Sequence, residues 1–185
     1  VGLPAMNLIN RSQVVCGIPQ VDIFPCPPSL QLSTVDCAAL DAKADCSFTS
    51  FTNLLSWTPN TTGICDPDLV SYKIYYAKDP SSPYTFLASS STLNFSHILQ
   101  KSYRGCYYVT AVSALGKESA PSNKICVENC ASFNLPNLFS PNGDGLNDVF
   151  KPMRCPRFIS SVAIKIVDRN GQLIYQYSGP VVGFG

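Results

Sequence analysis

The stretch Cys106–Val127 reads CYYVTAVSALGKESAPSNKICV. Its two ends are β-branched and aromatic, and its middle carries Gly, Pro and Ser. That pattern predicts strand, turn, strand, with the turn near Gly116. Facing residues of an antiparallel hairpin lie equally far from its centre, and Gly116 is midway between Cys106 and Cys126. The two cysteines then sit opposite each other, within disulfide reach. Tyr107, Val109 and Ala111 take the core side, which leaves the bridge on the outer face. A register shifted by a residue or two would instead pair these cysteines elsewhere.

Working outward, the same alternation recurs. LLSWTP (Leu54–Pro59), SYKIYYA (Ser71–Ala77), YTFLAS (Tyr84–Ser89), TLNFS (Thr92–Ser96) and NKICV (Asn123–Val127) all read as short strands between turn residues. Fifteen Pro and eleven Gly punctuate the chain, and long helical periodicity is absent. The fold class is all-β, and the spacing of the strands argues for a β-sandwich.

Composition narrows the function classes. Charged residues make up 14% of the chain, the net charge is +1 and there is no basic cluster, so nucleic acid is excluded as an expected partner. No run approaches the roughly 18 apolar residues of a transmembrane helix. Without an initiator Met or signal peptide at Val1, the chain reads as a mature product or a fragment. Nine cysteines with no CxxC and one His (His97) fit disulfides of an exported protein better than a zinc cluster. Nine is odd, so one thiol is free or pairs outside the chain. Cys37, Cys46 and Cys65 flank the Trp57 strand, and two of these three are expected to pair across loops. RSQVVC (Arg11–Cys16) repeats the pattern of PSNKIC (Pro121–Cys126). Residues 1–24 therefore read as the last strand of a preceding, similar domain plus a Pro-rich joint.

Residues 25–129 resemble a fibronectin type III domain. The carriers are Pro27-Pro28 before the first strand, Trp57 on the second, SYKIYY on the third, then Leu99 and Tyr107. The resemblance implies that Trp57 is core and that Tyr107 caps a corner of the sandwich. The Leu-to-Tyr spacing is longer than usual, and Asp36–Phe51 is an expanded first loop. Such a domain is a spacer or a binding module and implies no chemistry of its own.

Residues 130–185 resemble a second family more specifically. LPNLFSPNGDGLNDVFKP (Leu135–Pro152) and FISSVAIKIVDRNGQLIYQ (Phe158–Gln176) are similar to the gliding-motility-associated C-terminal domain, the type B sorting domain of the type IX secretion system of Bacteroidota. Asp168 stands where Asn is usual, and Asn170 where Trp is usual. The resemblance implies a second Ig-like β-sandwich, truncated at its C-terminus because the chain stops where further strands are expected. It implies a secreted, surface-attached and adhesin-like protein that is not an enzyme. Its implied partners are the type IX translocon and an outer-membrane β-barrel anchor of the PorP/SprF type. The implied contact residues are Phe139, Pro141, Asn142, Gly143, Asp144, Gly145, Asn147, Asp148, Phe150, Arg169 and Gly171. Phe139, Phe150 and the Ile164–Val167 strand are apolar anchors, or equally core.

The loop Ser140–Asp148 also supports a calcium reading. An EF-hand-like loop needs oxygen ligands at positions 1, 3 and 5 and a Gly at 6. Counted from Ser140, these fall on Ser140, Asn142, Asp144 and Gly145, with Asp148 in reach. The ligands would be Asn142, Asp144, Asp148 and the Leu146 carbonyl. Two carboxylates are few for such a site, and Asn-Gly and Asp-Gly equally supply a tight turn. No cofactor is otherwise expected. His97, in NFSHIL near a strand end, reads as a surface or loop His and not as a catalytic base. The Tyr and Phe of alternating strands read as core and not as a carbohydrate-binding face; such a face, or a protein-binding one, is the alternative function of the sandwich. Sequons at Asn10, Asn60 and Asn94 are incidental in a bacterial chain.

Overall fold

A computed structural model describes residues 22–42, 50–136, 139–140 and 142–181. The strand expected near Arg11–Cys16 lies outside the described residues, as do Cys16, Cys46 and Pro141.

The strands run β1 (Ser29–Ser33), β2 (Ser50–Thr58), β3 (Leu69–Ala77), β4 (Thr85–Ser90), β5 (Asn94–Gln100), β6 (Gly105–Ser113), β7 (Ile125–Val127), β8 (Ser161–Val167) and β9 (Leu173–Pro180). One helix, α1 (Cys37–Asp41), lies in the expanded first loop, capped by the Asp36 carboxylate, which accepts from Ala38 N–H. Seven strands form two antiparallel sheets, β1-β2-β5 and β4-β3-β6-β7. This is the sandwich that the strand spacing predicts.

β2 shows why. Phe51, Asn53, Leu55 and Trp57 are buried and every residue between them is exposed. Period-2 alternation puts one face of the strand into the core. There Leu55 and Trp57 meet Leu30, Tyr72, Ile74, Tyr107, Val109 and Ala111.

Cys106 pairs with Cys126 in register, and a disulfide joins them across a Cα separation of 4.0 Å. The symmetric hairpin holds only at this end. Nearer the turn, Val112 bridges Glu118, so the register shifts by two residues before the cysteines. Pro121 has no N–H to continue a ladder. Serines fill the gap: Val109 N–H donates to Ser122 Oγ at 3.0 Å and Ala111 N–H to Ser119 Oγ at 2.9 Å. Cys126 is exposed on the outer face as expected, but Cys106 is covered.

The other pairings differ from expectation. Cys37 bonds Cys130 and Cys65 bonds Cys26, so no two of Cys37, Cys46 and Cys65 pair with each other. The physical reason is the fold: α1 carries Cys37 to the end of the sandwich where the chain leaves it. Cys155 is also disulfide-bonded.

The expectation that the strand aromatics are core changes as well. Tyr75 and Tyr108 stack with ring centroids 4.6 Å apart, flanked by Phe86 and Tyr84. These four lie on the outer face of the four-stranded sheet, part exposed, and are not core. Alternation on β3 is regular: Tyr72, Ile74 and Tyr76 face the core cluster, so Tyr75 points outward, and the pairing irregularity falls on β4, where Leu87 is the extra residue.

Beyond β7 the described residues contain one further sheet, the hairpin β8–β9. Its turn follows DRNG: Asp168 Oδ1 accepts from Asn170 and Gln172 N–H at 2.8 Å, and Gly171 takes φ 83°. Val162, Ile164 and Ile166 form its half-buried face, while Leu173, Ile174 and Tyr175 are exposed.

Candidate functional site

The loop after Phe139 is built around one carboxylate. Asp148 Oδ1 accepts from Asn142 N–H at 3.0 Å and Gly143 N–H at 2.7 Å, and its Oδ2 accepts from Gly145 N–H at 2.7 Å. Gly143 and Gly145 have φ of 76° and 85°, a region that L side chains rarely adopt, so the motif needs Gly at both positions. Asp144 accepts from Leu146 N–H at 2.8 Å and from the Asn142 side chain at 2.9 Å. Ser140 N–H donates to Asn147 C=O at 2.9 Å and closes the loop. The backbone N–H bonds from Gly143 and Gly145 hold Asp148 below the ordinary carboxylate range. The side-chain bond from Asn142, followed by Leu146 N–H, does the same for Asp144.

This geometry bears on calcium. Three N–H dipoles converge on Asp148, where a cation would need free lone pairs. Asp144 and Asn142 bond each other and the backbone, so the loop is a self-capped turn. Among the described residues no three acidic, His or Cys side chains cluster.

The other expected contact residues are dispersed. The Phe139 and Phe150 rings pack 5.4 Å apart at the base of the loop. Asn142 to Asn147 are exposed. Arg169 and Gly171 sit exposed in the β8–β9 turn, which satisfies its own backbone groups. Each motif is thus a separate, internally bonded turn. Leu146, Val149 and Met153 are exposed by 56–70%, and a cleft of about 400 Å³ runs beside the loop between Pro136, Asn147, Val149 and Met153. Val149 and Met153 were not expected at the site, and Leu146 was expected there only through its carbonyl, because these side chains follow no strand period.

A second polar group lies inside the sandwich. His97 is in the middle of β5 and half-buried, not at a strand end; it is edge-on to Tyr76 and 2.9 Å from the Tyr107 hydroxyl. Tyr107 does not cap a corner through the backbone. Its hydroxyl accepts from Asn53 Nδ2 at 2.9 Å and shares a second hydrogen bond with His97 Nδ1 at 2.9 Å. Asn53, wholly buried, also donates to Tyr103 C=O at 2.8 Å and accepts from Thr34 at 2.7 Å. Burial lowers the His97 pKa and pushes the Tyr107 hydroxyl up to about 12. The group ties the two sheets together through Asn53 and His97 on one and Tyr107 on the other. Its sequence signal was a polar residue, Asn53, in the buried row of β2.

Similar solved structures include the fibronectin type III domain of human fibronectin type III domain containing protein 3, at 18% identity and TM-score 0.39, covering 60% of this chain and 92% of that one. Another is a Fn3-like protein from Clostridium thermocellum, at 23% identity and TM-score 0.37, covering 56% and 92%. No curated protein matches the sequence. Residues 133–183, which hold both turns described above, match the family described as the CHU_C type IX secretion signal domain, the family that the two motifs resemble.

Proposed function

We propose that this chain is the non-catalytic C-terminal part of an exported adhesin-like surface protein. Its residues 133–183 are read by the outer-membrane type IX translocon, and a PorP/SprF-type β-barrel retains the protein at the cell surface. The observation that carries the reading is the match of the type IX signal to the stretch where Asn142–Asp148 stands out from the fold with Leu146, Val149 and Met153 beside it. A preformed turn with adjacent apolar side chains suits capture by a protein, because little ordering entropy remains to be lost on binding. Main-chain groups at the β8–β9 edges would add strand-type contacts. The test is export of the parent protein in cells with and without the type IX apparatus, with surface labelling to separate export from retention. Export that persists without the apparatus would sink the reading; export without surface retention would sink the anchor alone.

A second reading, a sandwich that binds glycan or protein, is favoured by the outer-face strip Phe86, Tyr75, Tyr108 and Tyr84. Glycan-array binding that is lost in Phe86→Ala and Tyr108→Ala would support it.

A further inference from the structure

The sorting loop is an excursion with two feet. One is Ser132–Asn134 and the other is Met153–Arg157. The feet are paired to each other: Ser132 N–H donates to Arg157 C=O at 3.1 Å, Arg157 N–H to Ser132 C=O at 2.9 Å, and Met153 N–H to Asn134 C=O at 2.9 Å. Both are fastened to the lower end of the sandwich. Cys130 is bonded to Cys37 of α1, and its N–H donates to the Tyr103 hydroxyl at 2.6 Å. Ser132 Oγ donates to Asp41 of α1, and Arg154 bridges the same carboxylate at 2.7 Å. Phe158, just past the second foot, packs on Phe51 of β2 at 5.3 Å and on Tyr103 at 5.4 Å. Leu40, Phe51 and Tyr103 form a core cluster distinct from the main one, with Phe158 and Cys130 against it.

We infer that the fibronectin-like sandwich is a folding platform for the sorting loop, with Asp41, Phe51, Tyr103 and the Cys37–Cys130 bond as positioning residues for its recognition. The functional label is therefore larger than the stretch that matches the signal family. A fluctuating loop of this length would lose ordering entropy on capture; feet pinned to a preformed core remove that cost beforehand. A platform of this kind also makes the label report on the sandwich: a chain that is unfolded or reduced at Cys37–Cys130 presents no ordered loop. The inference rests on the proposed sorting role.

The experiment uses the full chain, oxidised, with Phe158→Ala and the conservative Phe158→Leu. The single tryptophan, Trp57, is buried in the main cluster and reports on the sandwich. Expected for Phe158→Ala are unchanged Trp57 fluorescence and unchanged exchange of the β3–β6 amides. The Ser132, Met153 and Arg157 amides exchange at least about ten-fold faster, and export of the parent protein falls at least about five-fold. Phe158→Leu restores both. Unchanged exchange at these three amides overturns the platform, whatever export does. Faster exchange with wild-type export overturns the positioning role. Wild-type export that ignores loss of the type IX apparatus overturns the sorting role instead, and the exchange data still decide the platform.

Discussion

Replacing Tyr107 by Phe removes one oxygen and tests why the sandwich holds a buried polar group. The Tyr107 hydroxyl takes one N–H from Asn53 and shares a hydrogen bond with His97 Nδ1. Asn53 is wholly buried, so the substitution leaves one amide N–H without an acceptor or water. Leaving a buried donor unmade costs about 1–3 kcal/mol, whereas half-buried His97 recovers a water partner at little cost. The expected loss is thus about 1–3 kcal/mol, a five- to 150-fold fall in the folding constant. Asn53→Ala also orphans the carbonyl of buried Tyr103 and leaves a cavity, and should cost more, about 2–4 kcal/mol. Because both substitutions remove the same bond, the double variant should be less destabilised than the sum by about 1 kcal/mol. Urea unfolding followed by Trp57 fluorescence, with constant slope, measures all three. Effects that add within about 0.3 kcal/mol, or a Tyr107→Phe variant as stable as wild type, would refute the argument.

His97 gives the same group a pH dependence. Its folded pKa is lowered from 6.5 by burial, so between the two values the unfolded chain binds a proton that the folded one refuses. Stability is full above about pH 6.5 and falls as pH drops through it towards the folded value; His97→Gln should flatten that limb. Removing the Cys37–Cys130 bond, which spans 93 residues, should cost about 4.5 kcal/mol on the chain-entropy model, against about 3 kcal/mol for Cys106–Cys126, which spans 20; calorimetry of the paired Cys→Ala variants measures both. Asp148→Ala should speed amide exchange at Asn142, Gly143 and Gly145. In wild type that protection should hold above the ordinary carboxylate pKa of 3.8 and fade as pH falls through the lower folded value. Millimolar calcium should leave the Gly143 and Gly145 amide resonances in place; shifts reversed by a chelator would contradict the reading of the loop as a self-capped turn.

The sandwich was legible where one rule acted alone. Strict alternation in β2 and β3 marks the core, and the midpoint of Cys106 and Cys126 finds their bond. The turns at Asn142–Asp148 and Asp168–Gly171 were legible because positive φ demands Gly and because Asx side chains cap nearby N–H groups. What escaped depends on contacts between distant residues. Cys37 finds Cys130 because α1 folds under the sandwich, and no spacing encodes that. His97 is held in mid-strand by Tyr107, a partner on the opposite sheet. Alternation turns Tyr75 and Tyr108 outward, but their meeting with Phe86 and Tyr84 in one aromatic strip depends on strand order. Phe158 reads as the start of a strand, yet it belongs to the core of the neighbouring unit.

The sorting role is tested by export of the parent protein, followed by surface protease accessibility in wild-type and type IX-deficient cells. Surface protein is expected only with the apparatus intact, and is lost when Gly143 and Gly145 are both replaced by Val while Trp57 fluorescence stays native. Surface delivery that survives loss of the apparatus would contradict that role.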